Sequence, residues 1–353
     1  MRAALVTPFF VDRDAVCNDV FHSARALRER GWEARVFAVG GQSERERAFP
    51  IGDMASFIRD ASDLVYFHFS TGRRDVTDAV EALRCRKVMK FHNVTPPEMF
   101  AMWSDELAEA SRLGRADMRR VAAMPWDAAL GDSSYNLAEI ASALPASTRQ
   151  GVVPPFHETD ELLALKPAST PAEDMPRLLM VGRIVQSKGH PFLLRVMRYL
   201  VHDLGVRVGL DFVGKPDHRL LSYMRNLALM VREYALENHV RFLGEVSSAQ
   251  LAERYTASSL FVCASEHEGF CVPMVEAMAF GLPIVALSTT AIPETVGDAG
   301  VLWEERDPRR FALTIQRLLS HADERAFLAE RGRARYAERF TNAAIAARLM
   351  EFL

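Results

Sequence analysis

The chain is poor in cysteine and in lysine, and has no long apolar run. Its four cysteines, Cys17, Cys85, Cys263 and Cys271, are scattered over 353 residues with no C-x-x-C pair and no metal-ligand spacing. That pattern excludes a disulfide scaffold, suits a reducing compartment, and reads two of the thiols as small buried apolar groups. No apolar stretch approaches the ~18 residues a membrane span requires. The run Ala3–Val6 is too short for a signal peptide, and Pro8 and Asp12 follow at once. The expectation is a soluble, cytoplasmic protein. Charge of one sign is missing as well: 43 basic against 46 acidic residues leave a net charge of −3. A dedicated nucleic-acid binder would be strongly basic, so that class is excluded. The 5 lysines stand against 38 arginines, which reads as compositional bias before function. No G-x-G-x-x-G follows the first apolar run, which excludes a nicotinamide dehydrogenase.

What remains is ordinary globular composition, 49% hydrophobic, 25% charged and 9% aromatic. One hydrophobic core stops growing at roughly 250–300 residues, so two domains are expected. Both halves alternate strand and helix. Ala3–Thr7, Ala34–Val39, Leu64–Phe69, Lys87–Phe91 and Ala128–Gly131 are short apolar runs of the kind that form parallel strands covered on both faces. Asn18 is placed as the cap of a first helix carrying Val20, Phe21, Ala24 and Leu27 and closed by Gly31. A Pro-, Ala- and Ser-rich segment at Val152–Pro176 reads as a linker. The alternation then restarts with strands Leu178–Val181, Leu210–Val213, Val240–Leu243, Leu260–Cys263 and Ile284–Ala286, and with a helix Pro191–Leu200. The expected division is 1–155, 156–335 and a terminal helical segment 336–353. In open α/β sheets ligands bind beyond the carboxyl ends of the strands, which places one in a cleft between the domains.

Two segments carry chemistry. Leu178–Val181 runs into Gly182-Arg183-Ile184-Val185-Gln186-Ser187-Lys188-Gly189, and a helix follows. A glycine at a strand end, two cations and a helix N-terminus describe a phosphate site, against the alternative of a plain turn with two solvated cations. A Walker loop would need Gly at 187 and Ser or Thr at 189, and it fails at both positions. The second segment is Ser265-Glu266-His267-Glu268-Gly269-Phe270-Cys271-Val272-Pro273-Met274-Val275-Glu276. Gly269 and Pro273 put Glu268 on a loop and Glu276 inside a helix, while the Gly269–Val272 amides form a second anion cradle. Either glutamate alone reads as an ordinary surface acid.

Together, GRIVQSKG, RFLGEV at 241–246, SEHEGFCVPMVEAMAFGLPIVA and IPETVGDAGVLW resemble glycosyltransferase family 4, bacterial members above all. The resemblance runs from Leu178 to about Trp303 and includes the Glu-x7-Glu spacing. It implies the α/β fold called GT-B, two Rossmann-like βαβ domains facing each other across a central cleft. It further implies a retaining, metal-independent glycosyltransferase that moves a sugar from a nucleotide-diphosphate donor to a hydroxyl acceptor. The acceptor would be a glycan, a lipid-linked glycan or a small molecule, and no cofactor is required. Arg183 and Lys188 would hold the diphosphate, with Gly182 beneath them and Gly269, Phe270, Cys271 and Val272 lending backbone N–H groups. Glu276 would bind the ribose and Glu268 the transferred sugar.

In the first half, Lys90-Phe91-His92-Asn93-Val94 resembles the strand-end His-Asn loop of some bacterial members. His92 is placed in the cleft, against donor sugar or phosphate. His68, Asn93, Asp12 and Asn18 are placed on the acceptor side. Asp12-Arg13-Asp14 has the D-x-D form of a metal motif, but its place after the first strand makes that a coincidence, and no metal is assigned. Arg112, Arg115, Arg119 and Arg120 share a face of a helix in Trp103–Ala123. They read as a solvated face before a patch for anionic lipid or a phosphorylated acceptor on the inner membrane face. Arg335–Leu353 reads as one helix with a buried face, and the resemblance implies that it crosses back to pack on the first domain. Two other readings stay open: a phosphorylase or synthase of the same fold, and a catalytically silent nucleotide-sugar-binding subunit.

Overall fold

The computed structural model describes every residue except Arg13, Ala168 and 170–172. Arg13 of the Asp12–Asp14 triplet and the middle of the expected linker therefore lie outside the described residues. The chain forms two units, one of residues 1–97, 108–158 and 342–353, the other of residues 98–107 and 159–341.

The first unit is built on seven parallel strands: β1 (Arg2–Val6), β2 (Glu33–Ala38), β3 (Ala48–Pro50), β4 (Leu64–Phe69), β5 (Arg86–Phe91), β6 (Ala128–Gly131) and β7 (Arg149–Val152). Their order is β3-β2-β1-β4-β5-β6-β7. Side chains alternate across the sheet, so Ala4 and Val6 enter one core while Ala3 and Leu5 enter the other. Burial on both faces is why these strands read as unbroken apolar runs. The first helix, α1 (Ala15–Arg28), is capped by Asp14, whose carboxylate accepts from the Val16 and Cys17 amides at 3.0 and 3.1 Å. Asn18 is therefore not the cap expected of it but lies inside the first turns. The helix α2 (Asp105–Ala122) follows.

The second unit carries six parallel strands: β8 (Arg177–Val181), β9 (Gly209–Val213), β10 (Val240–Gly244), β11 (Leu260–Cys263), β12 (Ile284–Leu287) and β13 (Gly300–Trp303). The order is β10-β9-β8-β11-β12-β13, so neighbouring connections leave in opposite directions between β8 and β11. That reversal opens a crevice at the carboxyl ends of these two strands. The helices that matter there are α3 (His190–Arg198), α4 (Ser248–Ala257) and α5 (Val272–Phe280).

The expected single terminal helix is two. A helix Ala322–Arg339 belongs to the second unit, and a break at Phe340 and Thr341 separates it from Asn342–Met350 of the first. Asn342 fixes the restart, donating to the His157 carbonyl at 2.8 Å and accepting from the His157 amide at 3.3 Å. Ile345 and Leu349 are fully buried in the core that also holds Leu5 and Val20. No helix among the described residues is long and apolar enough to cross a membrane.

Candidate active site

Both chemistry-bearing segments fall at the reversal in the second sheet. The first leaves β8 through Gly182, whose φ is +151° and whose amide donates to the Val213 carbonyl at 2.9 Å. The loop closes on Gly189 at φ +72°, where a Cβ would lie 2.0 Å from the Ala264 carbonyl oxygen. Only glycine lets the turn into α3 press so closely on the second loop. A hydrogen bond of 2.7 Å from the Glu266 amide to the Ser187 carbonyl ties the two loops together.

The loops also meet through side chains. Lys188 Nζ donates to Glu268 Oε1 at 2.6 Å, with the two side chains 18% and 9% exposed. Burial pulls the lysine pKa down, the Glu268 charge pushes it up, and the balance lies above the ordinary lysine value. Lys188 is thus a fixed, fully ionised cation. Arg183 is exposed and makes no ion pair with any described residue. His190, the first residue of α3, is fully buried and packed against the Tyr223 hydroxyl at 3.1 Å; burial and then Lys188 lower its pKa to about 3, so it stays neutral.

The second loop is held from behind by threonines. The Glu268 amide donates to Thr290 Oγ1 at 2.9 Å, Thr289 Oγ1 donates to the Ser265 carbonyl at 2.6 Å, and Thr295 Oγ1 to the Phe270 carbonyl at 2.7 Å. Phe270 is buried, and Cys271 takes a left-handed φ of +78° where α5 begins. No side chain caps α5, and the first N–H groups of a helix have no partner within the helix. Within α5, Glu276 Oε2 accepts from the Tyr255 hydroxyl of α4 at 2.6 Å. Tyr255 also donates to the Pro273 carbonyl at 3.3 Å, so one buried hydroxyl positions both the helix start and its carboxylate.

The second unit therefore brings together Gly182, Arg183, Lys188, Glu268, Gly269, Phe270, Cys271, Val272 and Glu276. Tyr255, Thr289 and Thr290 are further contributors that the sequence reading missed. Tyr255 lies on a different helix and no local spacing announces it. The left-handed φ of +47° at Thr290 is invisible in sequence too. The fold also corrects the view of the cysteines as unrelated. Cys263 ends β11 and Cys271 starts α5, and their sulfurs lie with a Glu268 oxygen within 4.8 Å of one another. A thiol–thiol hydrogen bond lowers the Cys263 pKa and raises that of Cys271.

The expected first-unit residues behave differently. His92 follows directly on β5, and its side chain is 2% exposed. Nδ1 lies 2.9 Å from Asp132 Oδ2, and Nε2 lies 2.9 Å from His68 Nδ1. Lys90 Nζ sits 2.8 Å from Asp19 Oδ2 and donates to the Pro154 carbonyl at 3.1 Å. The result is a buried charge network in which His92 and the fully buried His68 both take part. Burial pushes the His68 pKa down to about 4. Burial raises Asp19, but Lys90 and the two histidines outweigh it and hold the carboxyl below its usual range. Asp12 accepts from Ser43 Oγ at 2.5 Å and the Glu44 amide at 2.8 Å, so it clamps a loop. With Asp14 capping α1, both acids of the D-x-D triplet have structural partners. Asn18 accepts from Arg45 at 3.2 Å, and Asn93 adopts a left-handed φ of +74°. The arginine face is largely spent within the protein. Arg112 pairs with Glu109, Arg115 with Glu139 and the Val94 carbonyl, and Arg120 with Asp117, which leaves Arg119.

Residues 164–335 match the family model described as Glycosyl transferases group 1. A D-inositol 3-phosphate glycosyltransferase from Thermobispora bispora is 32% identical over 201 residues, 56% of this chain and 46% of its own length. The chain thus spans about half of that curated relative. Among solved structures, a sucrose-phosphate synthase from Thermosynechococcus elongatus superposes with a TM-score of 0.78 at 19% identity, over 99% of this chain and 98% of that one. HepE of Anabaena, solved in complex with UDP-glucose, gives 0.75 at 18% identity over 99% and 98%. At such identities the likeness establishes the fold, two Rossmann-like units of the GT-B type. Residues 164–335, which carry both loops of the site, are a group 1 glycosyl transferase domain.

Proposed function

We propose that this protein is a glycosyltransferase that transfers a sugar from a nucleotide-diphosphate donor to a hydroxyl acceptor, in bacterial glycan or glycolipid synthesis. The observation that carries the reading is the contact of Lys188 with Glu268, which ties the loop bearing Arg183 and Lys188 to the loop that leads into α5 at the β8–β11 reversal. Two cations on a loop tied to a helix N-terminus at one strand end match a diphosphate. The donor complex named for the Anabaena neighbour supports a nucleoside diphosphate sugar as ligand.

Each residue then has a task. Arg183, Lys188 and the α5 amides stabilise the charge that grows on the departing diphosphate, so the catalytic term is electrostatic and needs no metal. An ammonium has three donors, so Lys188 keeps Glu268 and still reaches a phosphate oxygen. Glu276, aimed by Tyr255, accepts from ribose hydroxyls, while Glu268 meets the transferred sugar. The reaction retains anomeric configuration: the acceptor attacks the face the diphosphate leaves, and a phosphate oxygen takes the acceptor proton. Acceptor recognition is assigned to the first unit.

The test is incubation with a panel of nucleotide sugars, with and without a chelator, reading released nucleoside diphosphate and the anomeric proton of any product by NMR. Release that persists in chelator and a retained anomer are expected. No release from any donor, dependence on added magnesium or manganese, or an inverted product would overturn the corresponding part.

A further inference from the structure

We infer that Cys263, Cys271 and Glu268 form a binding site for a thiophilic divalent cation of the zinc class. Three ligand atoms of the right chemistry lie within 4.8 Å of one another, all on buried residues. They come from three fixed points: the end of β11, the β11–α5 loop and the N-cap of α5. Two sulfurs and one carboxylate oxygen with a fourth position open is a zinc donor set, whereas magnesium or calcium would require oxygen ligands throughout.

Two independent observations point the same way. Cys271 holds a left-handed φ of +78°, a conformation that favours glycine and that a cysteine adopts only at a cost. Its side chain is therefore present despite the backbone. The charges also close. Two thiolates and one carboxylate around a divalent ion leave one negative charge, and the Lys188 ammonium on Glu268 Oε1 at 2.6 Å cancels it. Lys188 bonds Oε1 of Glu268, and a carboxylate has a second oxygen to offer an ion. The first-unit group of Asp19, His68 and His92 is also within 4.8 Å, but there Lys90 already lies 2.8 Å from the shared Asp19 oxygen. On binding, each thiol S–H breaks as its sulfur bonds the metal, and two protons pass to solvent. No oxidant or reductant is involved. An ion held there occupies Glu268 and the start of α5, which makes the site inhibitory if the proposed donor site is right.

The experiment is a cobalt(II) titration of the full chain, kept reduced with a phosphine, followed by absorbance. A thiolate-to-cobalt charge-transfer band that saturates at one ion per chain and is displaced by zinc(II) is expected. Cys271→Gly, which suits the backbone, and Cys263→Ser should each abolish the band. Glu268→Gln should keep it and weaken binding by roughly tenfold or more. Cys17→Ser and Cys85→Ser should change nothing. No band, a band that survives Cys271→Gly, or a thiol pair that only oxidises to a disulfide overturns the site. The readout needs no donor or acceptor, so its failure leaves the glycosyltransferase reading standing.

Discussion

Tyr255→Phe isolates what one hydroxyl does for the candidate ribose carboxylate. The substitution deletes a single oxygen that donates to Glu276 Oε2 at 2.6 Å and to the Pro273 carbonyl at 3.3 Å. The ring stays, stacked on Phe280 and Phe261 at centroid distances of 5.3 and 6.3 Å. Packing is therefore conserved, and only the polar term changes. A hydrogen bond to a charged group is worth about 1.5–3 kcal/mol, and its loss leaves a carboxylate oxygen short of a donor. Urea denaturation should show a stability loss in that range at an unchanged m-value. The same variant should bind the nucleoside diphosphate about tenfold more weakly, because Glu276 is no longer aimed, while turnover at saturating donor changes little. A stability change below ~0.5 kcal/mol with wild-type nucleotide affinity would refute the assignment of Tyr255 as the residue that positions Glu276.

The remaining predictions concern charge, backbone and pH. Arg183→Ala and Lys188→Ala should each lower kcat/KM by on the order of 10²-fold, measured with the donor the panel identifies, and wild-type kinetics in either would place the diphosphate elsewhere. Gly189→Ala forces a Cβ to 2.0 Å from the Ala264 carbonyl at φ +72°, so thermal denaturation should show a loss of roughly 2–4 kcal/mol. Burial keeps His68 and His190 neutral, with pKa values near 4 and 3. Each is depressed below its unfolded value of about 6.5, so the unfolded chain binds more protons and stability falls as pH drops below ~6.5, by up to ~1.4 kcal/mol per unit for each histidine. The His68 share levels off near pH 4, and His68→Gln should flatten the slope accordingly; denaturation midpoints that stay level or rise between pH 6.5 and 5 would contradict this.

Legibility followed locality. The placement of Lys188 on a strand-end loop and of Glu276 inside a helix was readable because the glycines and the proline that set those elements lie within a few residues. The partners that hold them in place were not readable, since Tyr255 and Thr290 reach the site only through the fold. The eight-residue interval between Cys263 and Cys271 hides their meeting, because β11 and α5 fold back on one another across the Glu268 loop. Strands were found where the run is apolar and at least four residues long, as in Leu64–Phe69 and Leu260–Cys263. They were missed where the run is short or polar, as in Arg149–Val152 and in Ala48–Pro50, which ends in proline. His92 shows the other limit: its place just after β5 was readable, but Asp19 and Asp132, which its ring meets in a buried network, come from other elements, and sequence position carries no information on ring orientation.

Calorimetric titration of nucleoside diphosphate into wild type, Glu276→Ala and Glu268→Ala tests the central claim most directly. Glu276 is assigned to the ribose, which the free nucleotide carries, and Glu268 to the sugar, which it lacks. Uridine diphosphate, the nucleotide of the Anabaena complex, is the first to try, with the other common bases beside it. The account predicts that Glu276→Ala weakens the nucleotide by roughly 10- to 100-fold while Glu268→Ala leaves it nearly unchanged. The reverse pattern would exchange the two roles, and wild-type affinity in both variants, or no nucleotide bound by the wild type, would contradict the site itself.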